Sequence, residues 1–299
     1  LKINPDTIVS GGFGPANIVS FIYCKAARKK HICWGELTLK DNATGSPIRK
    51  YIRKKLISGS AACIASSSVS RDAFLFYGAN PRNTSVSLMP VDVELFRTAA
   101  NDYRQSKDYT LLRKKYTGPV LLSVGRIVRA KGYIELFTAY EMLLIRHPSL
   151  RLLIAGDGED RKEYQQYVLD KGWDNVEFLG FIQKDQLPLL YASSDVYIFH
   201  TLQDTFGAVL PEAMACETVV VSSIYAGATL DLVEDGVTGF RCDPQDVGGL
   251  STVIDIALSL NDAEKRQIGN MACLRVQQLN FQVAADKMVN VIHHACGQK

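Results

Sequence analysis

In the second half of this 299-residue chain, two cations and two carboxylates stand where their types and spacing can do chemistry. In "SVGRIVRAKG", Ser123 to Gly132, a β-rich run delivers Gly125 and then Arg126, and Lys131 follows at the start of a helical pattern. Such a pair suits a diphosphate: an arginine forks onto two oxygens, and a lysine supplies a compact point charge. Taken alone, the pattern is equally that of an ordinary solvated loop. In "HTLQDTFGAVLPEAMA", His200 to Ala215, Asp204 and Glu212 bracket a small loop and the opening of a helix. Phe206, Gly207 and Ala208 place backbone N–H groups at that helix start, where phosphate or sugar oxygens find donors. A carboxylate suits a vicinal diol because its two oxygens match two hydroxyls, so Glu212 can take a ribose and Asp204 a hexose. The plainer alternative is that Asp204 caps the helix and Glu212 is exposed.

These residues need elements to hold them. From Pro119 onward, short apolar runs ("PVLLSV", "LRLLIAG", "VEFLGF", "DVYIFH", "TVVVSS", "TGFRC") alternate with helical segments beginning near Lys131, Glu159, Lys184, Gly207 and Ala228. Strands that are apolar throughout, alternating with helices, imply a parallel sheet covered on both faces. Ligands of such sheets bind beyond the carboxyl ends of the strands. Gly125, Gly156, Gly180 and Gly227 fall at or just after strand ends, where the backbone turns sharply or lets something approach. Before Gly118 the alternation is weaker, with strands expected at Thr7–Ser10, His31–Trp34, Ala62–Ser66 and Ser85–Met89, and a helix and linker over Arg97–Thr117. Two α/β units result.

Composition agrees with about two soluble domains, at 47% hydrophobic and 22% charged residues. The seven cysteines are scattered, without C-x-x-C or zinc spacing, and read as reduced core thiols. His293 and His294 read as a helix end rather than a metal site, and neither a transmembrane helix nor a signal peptide is expected. Because the first residue is Leu1 and a Pro-Asp turn follows at once, the sequence is expected to start inside a longer reading frame or domain. The formal charge of +3 hides a division: Lys and Arg exceed Asp and Glu by 11 through Gly118, and fall short by 8 thereafter. The basic excess is densest in "CKAARKKH" and "RKYIRKK", Cys24–His31 and Arg49–Lys55. These stretches can hold an anionic membrane surface or a phosphorylated substrate, or be solvated helix faces. No groove-reading or aromatic-rich motif accompanies them, so nucleic acid is not an expected partner.

"TIVSGGFGPANIVSF" near the start invites a dinucleotide-binding reading, with Gly12, Gly14 and Asn17 in the places of G-x-G-x-x-G and Glu36 as an acidic ribose partner. Asn17 in the third place would crowd helix–strand packing, and the stronger phosphate signals lie far downstream. An oxidoreductase is therefore the weakest candidate.

Taken in order, "SVGRIVRAKG", "LLIAGDGED", "VEFLGFIQKDQLPLLYASSDVYIF", "DTFGAVLPEAMACETVVVSS" and "LVEDGVTGFRCDP" resemble the group 1 (family 4) retaining glycosyltransferases over Pro119 to about Pro244. Weaker similarity lies in "ACIASSSVSRDAFLFYGANPRNTSVSLMPVDVELF". The resemblance implies the GT-B architecture, two Rossmann-like domains facing across a cleft. Residues 1–117 would form an incomplete acceptor-side domain with a linker, 118–278 the nucleotide-sugar domain, and 279–299 a helix returning toward the first. It further implies that Arg126 and Lys131 neutralise the donor diphosphate and Asp204 holds the transferred sugar with help from the Phe206 and Gly207 amides. Glu212 would take the ribose, Gly125 and Ala208 would complete the donor site, and Gly156 would let the donor approach. Phe181 and Ile182 would border the base. Gly12, Gly14 and Glu36 fall on the acceptor side. The implied reaction moves a hexose from a nucleotide-diphosphate sugar to a lipid-linked or polysaccharide acceptor with retention. No metal and no cofactor are expected, and the protein would be cytoplasmic, or peripheral at the inner membrane face. Departures exist: Asp204 stands where the family usually has Glu, Glu217 and Thr218 replace a usual Gly-Pro, and Gly227 stands where a Gly-Gly pair is common. With its first domain incomplete, the chain could instead be an inactive nucleotide-sugar-binding module.

Overall fold

The protein is described here by a computed structural model covering residues 4–39 and 46–297. It forms two compact units, Leu1–Pro90 with Leu279–Lys299, and Val91–Gln278.

The first unit holds β1 (Thr7–Gly11), α1 (Pro15–Ala26), β2 (Lys30–Gly35), α2 (Pro47–Gly59), β3 (Ala62–Ala65), α3 (Ser68–Phe76) and β4 (Thr84–Val86). Its strands lie in the order β1-β2-β3-β4, and all pair in parallel. Ser46 and Ser67 start α2 and α3 by accepting the Arg49 and Ser70 amides, the ordinary way a serine satisfies an orphan helix N–H. Between the strands, His31 is buried and bonded on both ring nitrogens. Nε2 lies 2.7 Å from Ser10 Oγ and Nδ1 2.8 Å from Ser60 Oγ, and burial lowers its pKa to about 4.

The second unit begins with α4 (Val93–Arg104) and α5 (Lys107–Lys115). It continues through β5 (Val120–Val124), α6 (Tyr133–Leu144), β6 (Arg151–Ala155), α7 (Arg161–Asp170), β7 (Val176–Gly180) and α8 (Leu187–Ser193). Then come β8 (Val196–Phe199), α9 (Val209–Ala215), β9 (Val219–Ser223), α10 (Gly227–Leu232), β10 (Phe240–Cys242), α11 (Val247–Ser259) and α12 (Asp262–Val276). Six parallel strands run in the order β10-β9-β8-β5-β6-β7. Leu121 of β5 pairs with Leu152 of β6 on one side and Val196 of β8 on the other. The chain therefore winds outward from β5 through β6 to β7, returns to the other side of β5, and winds away through β8, β9 and β10. The reversal leaves a crevice past the carboxyl ends of β5 and β8, which is where ligands of open α/β sheets bind.

The core explains why these segments are strands. All residues of β5, β8 and β9 are buried. Leu121, Ile154, Ile198 and Val221 pack with Phe137 and Tyr140 of α6 and Leu250 and Ile254 of α11. Each such fully buried aliphatic side chain is worth about 1.5–3 kcal/mol. Val91–Thr117, grouped with the first domain in the sequence, packs in the second unit. The cause is Phe96, which is fully buried with its ring 6.4 Å from that of Tyr191.

The last helix, α13 (Phe281–Cys296), belongs to the first unit. Met288, Val291 and Ile292 pack on Ile32, Ala62 and Ile64, and Cys296 Sγ lies 2.9 Å from Thr7 Oγ1. All seven cysteines are unpaired thiols, and all but Cys296 are buried. Among the described residues, no helix is long and apolar enough to cross a membrane.

Candidate active site

The site is assembled where β5 and β8 end side by side. Beyond β5, Gly125 adopts φ +151°, and the position of its missing Cβ faces open space. Arg126 is exposed, and its guanidinium makes no ion pair among the described residues. The chain then makes a short 3₁₀ turn, Arg129–Lys131, and closes it on Gly132 at φ +74°. A Cβ on Gly132 would stand 2.4 Å from the His200 carbonyl oxygen, so only glycine fits this junction.

From the β8 side, Phe199 and His200 hold that turn from beneath. The Phe199 ring lies 5.4 Å from Lys131 Nζ, and a Cβ on Gly207 would come within 2.4 Å of the same ring. One aromatic ring thus floors both the lysine and the loop opposite it. His200 is 3% exposed. Its Nδ1 lies 3.0 Å from the Gly132 carbonyl oxygen, so Nδ1 carries the hydrogen and donates. Its Nε2, 2.9 Å from Ser123 Oγ, therefore accepts from the serine. Burial, followed by weaker opposing hydrogen bonds, brings the imidazole pKa down to about 4, which keeps it neutral.

His200→Phe is expected to destabilise the protein by about 2 kcal/mol, because two buried polar partners lose their bonds. Urea unfolding at pH 7.5 measures it, and an unchanged midpoint would remove the clamp. The same imidazole gives an acid-sensitivity signature. Its folded pKa of about 4 lies below the ordinary 6.5, so its contribution is present above pH 6.5 and lost as pH falls toward 4.

The loop after β8 is tied to β9 and α10. The Asp204 amide donates to the Tyr225 carbonyl at 3.1 Å, and the Gly227 amide donates to the Asp204 carbonyl at 3.2 Å. Asp204 Oδ1 accepts the Phe206 amide at 3.1 Å, and Oδ2 accepts Lys131 Nζ at 2.5 Å. Asp204 is therefore both a local turn cap and the ion-pair partner of Lys131, with side chains 20% and 14% exposed. The Phe206 amide, expected from sequence to face a ligand, is occupied by Asp204. Among the described residues, the amides of Gly207 and Ala208 meet no acceptor.

Capping follows the same division. In the second unit α4, α5, α11 and α12 start on side-chain caps from Asp92, Ser106, Asp246 and Asn261. By contrast, α6, α7, α8, α9 and α10, which follow the carboxyl ends of β5 to β9, start without a side-chain cap bond. Backbone carbonyls take the first amides of α10, those of Gly227, Ala228 and Thr229, so the open N–H groups are those at the start of α9, where they favour an anion.

Glu212 sits in the first turn of α9 and is half-buried, not exposed. Burial raises its pKa to about 7, against the pull of Lys184 and a hydrogen bond from Tyr191. A carboxylate short of solvent accepts incoming hydroxyl donors readily. Lys184, Tyr191, Phe199 and His200 were not singled out from sequence. A buried histidine directly after an apolar strand was the one signal available.

Other expected site residues fall as follows. Gly156 has φ +149°, and a Cβ there would lie 1.8 Å from the Gly125 carbonyl oxygen. What its bare Cα admits is thus the neighbouring loop's backbone. Phe181, 71% exposed, and Ile182, half-buried, follow β7 at the same sheet edge. Gly12, Gly14 and Glu36 lie in the first unit, beyond the carboxyl ends of β1 and β2. Asn17 is 1% exposed and its amide donates to the carbonyls of Ser10 and Gly12, filling the space that a dinucleotide loop leaves to glycine.

Two parallel Rossmann-like units of this kind define the GT-B class of α/β fold, and known structures agree. HepE from Anabaena, solved in complex with UDP-glucose, superposes with a TM-score of 0.80 at 25% identity, over 97% of this chain and 79% of that one. Residues 110–272 match the family glycosyl transferases group 1, and the chain belongs to it. An uncharacterised glycosyltransferase of Methanocaldococcus jannaschii is 35% identical over 142 residues, 47% of this chain and 36% of the relative. The alpha-D-kanosaminyltransferase of Streptomyces kanamyceticus is 24% identical over 258 residues, 85% of this chain and 65% of the relative. The chain thus spans about a third to two thirds of these relatives.

Proposed function

We propose that the protein is a family 4 retaining glycosyltransferase that moves a hexose from a nucleotide-diphosphate sugar to a glycan or lipid-linked acceptor. The observation carrying this reading is the pairing of Lys131 beyond β5 with Asp204 beyond β8, next to the open Gly207 and Ala208 amides, with exposed Arg126 on the same loop as the lysine. A diphosphate in that crevice takes the ammonium, the guanidinium and the amides. Glu212, a turn into α9, accepts the ribose hydroxyls, and exposed Phe181 with Ile182 borders the base.

In the reaction the C1–O bond to the diphosphate breaks and the acceptor oxygen bonds to C1 on the same face. The acceptor's proton passes to the departing phosphate oxygen. Charge builds on the leaving diphosphate, and preorganised Lys131, Arg126 and backbone amides stabilise it there. Asp204 suits a holding role better than a nucleophilic one, since both its oxygens are already bonded. Donor entry requires Lys131 to share or exchange its Asp204 partner for phosphate, which frees a carboxylate oxygen for a sugar hydroxyl.

The acceptor is assigned to the first unit, near Gly12, Gly14 and Glu36. Exposed Ile48 and Tyr51 on the same helix as Arg49, Lys54 and Lys55 support contact with an anionic membrane surface. A panel of α-linked nucleotide-sugar donors, followed by NMR of the product, tests the reaction. An α-linked product is expected, and a β-linked one would overturn retention.

A further inference from the structure

A second polar cavity, of about 480 Å³, lies at the other pole of the second sheet. Its lining includes Ser193, Ser194 and Asp195, which immediately precede β8, and Glu217 and Thr218, which immediately precede β9. The strands are parallel, so this cavity is at their amino ends, whereas the donor crevice is past their carboxyl ends.

Four cations from three helices converge here: Arg104 of α4, Arg113 of α5, and Lys265 and Arg266 of α12. Arg104, Arg113 and Lys265 are partly buried, at 30%, 34% and 21% exposed. Three carboxylates line the same cavity, Asp195, Glu217 and Asp262, one fewer than the cations. Asp195 alone answers two, at 3.1 Å from Arg113 Nη1 and 3.3 Å from Lys265 Nζ, and it also accepts the Val120 amide at 2.9 Å. Glu217 answers Arg104 at 3.3 Å. Among the described residues, Arg266 spends only its Nε, on the Asp262 carbonyl at 3.1 Å, which leaves its two terminal amino groups available.

Two further observations indicate a site rather than a self-contained network. Ser193 is 3% exposed and lines the cavity, yet its Oγ has no hydrogen-bond partner among the described residues. Glu217 holds φ +58°, a left-handed conformation that glycine adopts more cheaply. Its carbonyl is locked by α12, because a Cβ on Gly269 would stand 2.2 Å from that oxygen. The strained residue is thus the one that delivers a carboxylate to the cavity wall.

We infer that this cavity binds a small phosphate monoester carrying hydroxyl groups. The oxyanion is taken by Arg113, Lys265 and Arg266, and the hydroxyls by Glu217 and Ser193. Surplus donors of fixed fork geometry select the oxyanion, and the carboxylate and serine give the remainder its acceptors. This site is independent of the donor crevice and of the transferase reading.

Isothermal titration of the whole chain with glycerol phosphate, and with glycerol at matched ionic strength, tests it. The wild type and Lys131→Ala are expected to bind glycerol phosphate equally, Arg266→Gln at least about tenfold more weakly, and glycerol not at all. Lys265→Gln serves as the second variant, and circular dichroism verifies that both fold. Inorganic phosphate binding as tightly as the ester would overturn the hydroxyl contacts. No binding to the wild type, equal binding by all variants, or loss in Lys131→Ala alone would each overturn the site.

Discussion

Lys131→Ala is expected to lower the transfer rate constant by about two to three orders of magnitude, equivalent to about 2.7–4 kcal/mol of transition-state stabilisation. The Lys131 side chain is only 14% exposed, its ammonium rests on the Phe199 ring, and it is aimed by the Gly132 junction that His200 clamps. A charge held so firmly costs little to reorganise when the leaving diphosphate develops its own. Ground-state affinity for a nucleoside diphosphate is expected to fall by only about tenfold, because Arg126 and the open amides remain. The loss should therefore appear mainly in kcat rather than KM. Lys131→Arg is expected to restore little, since a planar guanidinium does not fit the compact seat between Asp204 and the ring. Arg126→Ala should act more on KM, as its exposed guanidinium is not fixed before the donor arrives. An unchanged kcat in Lys131→Ala would remove the lysine from the chemistry.

Glu212→Gln is expected to stabilise the ligand-free protein at pH 8 and to weaken donor binding there by about ten- to a hundredfold. The folded pKa of about 7 lies above the ordinary 4.5, so the folded state holds this proton more tightly than the unfolded chain does. The protonated form's contribution is present in full below pH 4.5 and is lost as pH rises through about 7. A shift of this size corresponds to about 3 kcal/mol, so the buried charge is a substantial burden above pH 7. Ribose hydroxyls donating to the carboxylate favour its charged form, and nucleotide binding should then release a proton near pH 6. His31 and His200 act in the opposite sense, losing stability as pH falls from 6.5 toward 4. The difference between wild type and Glu212→Gln isolates the carboxylate. Denaturation midpoints from pH 5 to 8 supply the stability half, and titrations in buffers of different ionisation heat supply the proton count. A variant whose stability parallels the wild type across that range would contradict the assignment.

Much of the second unit could be read in advance because its strands are buried on both faces. "VLLSV", "RLLIA" and "VVVSS" are nearly unbroken apolar runs, and no other element suits runs that short. Helix starts were displaced. The segments expected near Lys131, Glu159 and Gly207 begin as helix at Tyr133, Arg161 and Val209. The residues between are consumed by turns, one of them the left-handed Gly132. The first unit was fainter because β1 is only half-buried and its sequence is correspondingly less apolar.

At the site, the charged residues were visible by type, but their partners were not. That Lys131 meets Asp204 depends on β8 lying beside β5, a fact of strand order that local sequence does not carry. The same holds for the Phe206 amide, which bends back to Asp204, and for Glu212, whose burial is set by neighbours such as Tyr191. Glu217, noted in the sequence only as a departure from a usual Gly-Pro, sits in a left-handed conformation beside a second cluster of cations.

The most direct test of the donor site is a crystal structure of the chain with a bound nucleoside diphosphate. The account predicts phosphate oxygens at hydrogen-bonding distance, about 3 Å, from Lys131 Nζ and from the Gly207 and Ala208 amides, with the ribose on Glu212. A nucleotide seated elsewhere, with Lys131 still bonded only to Asp204, would contradict it.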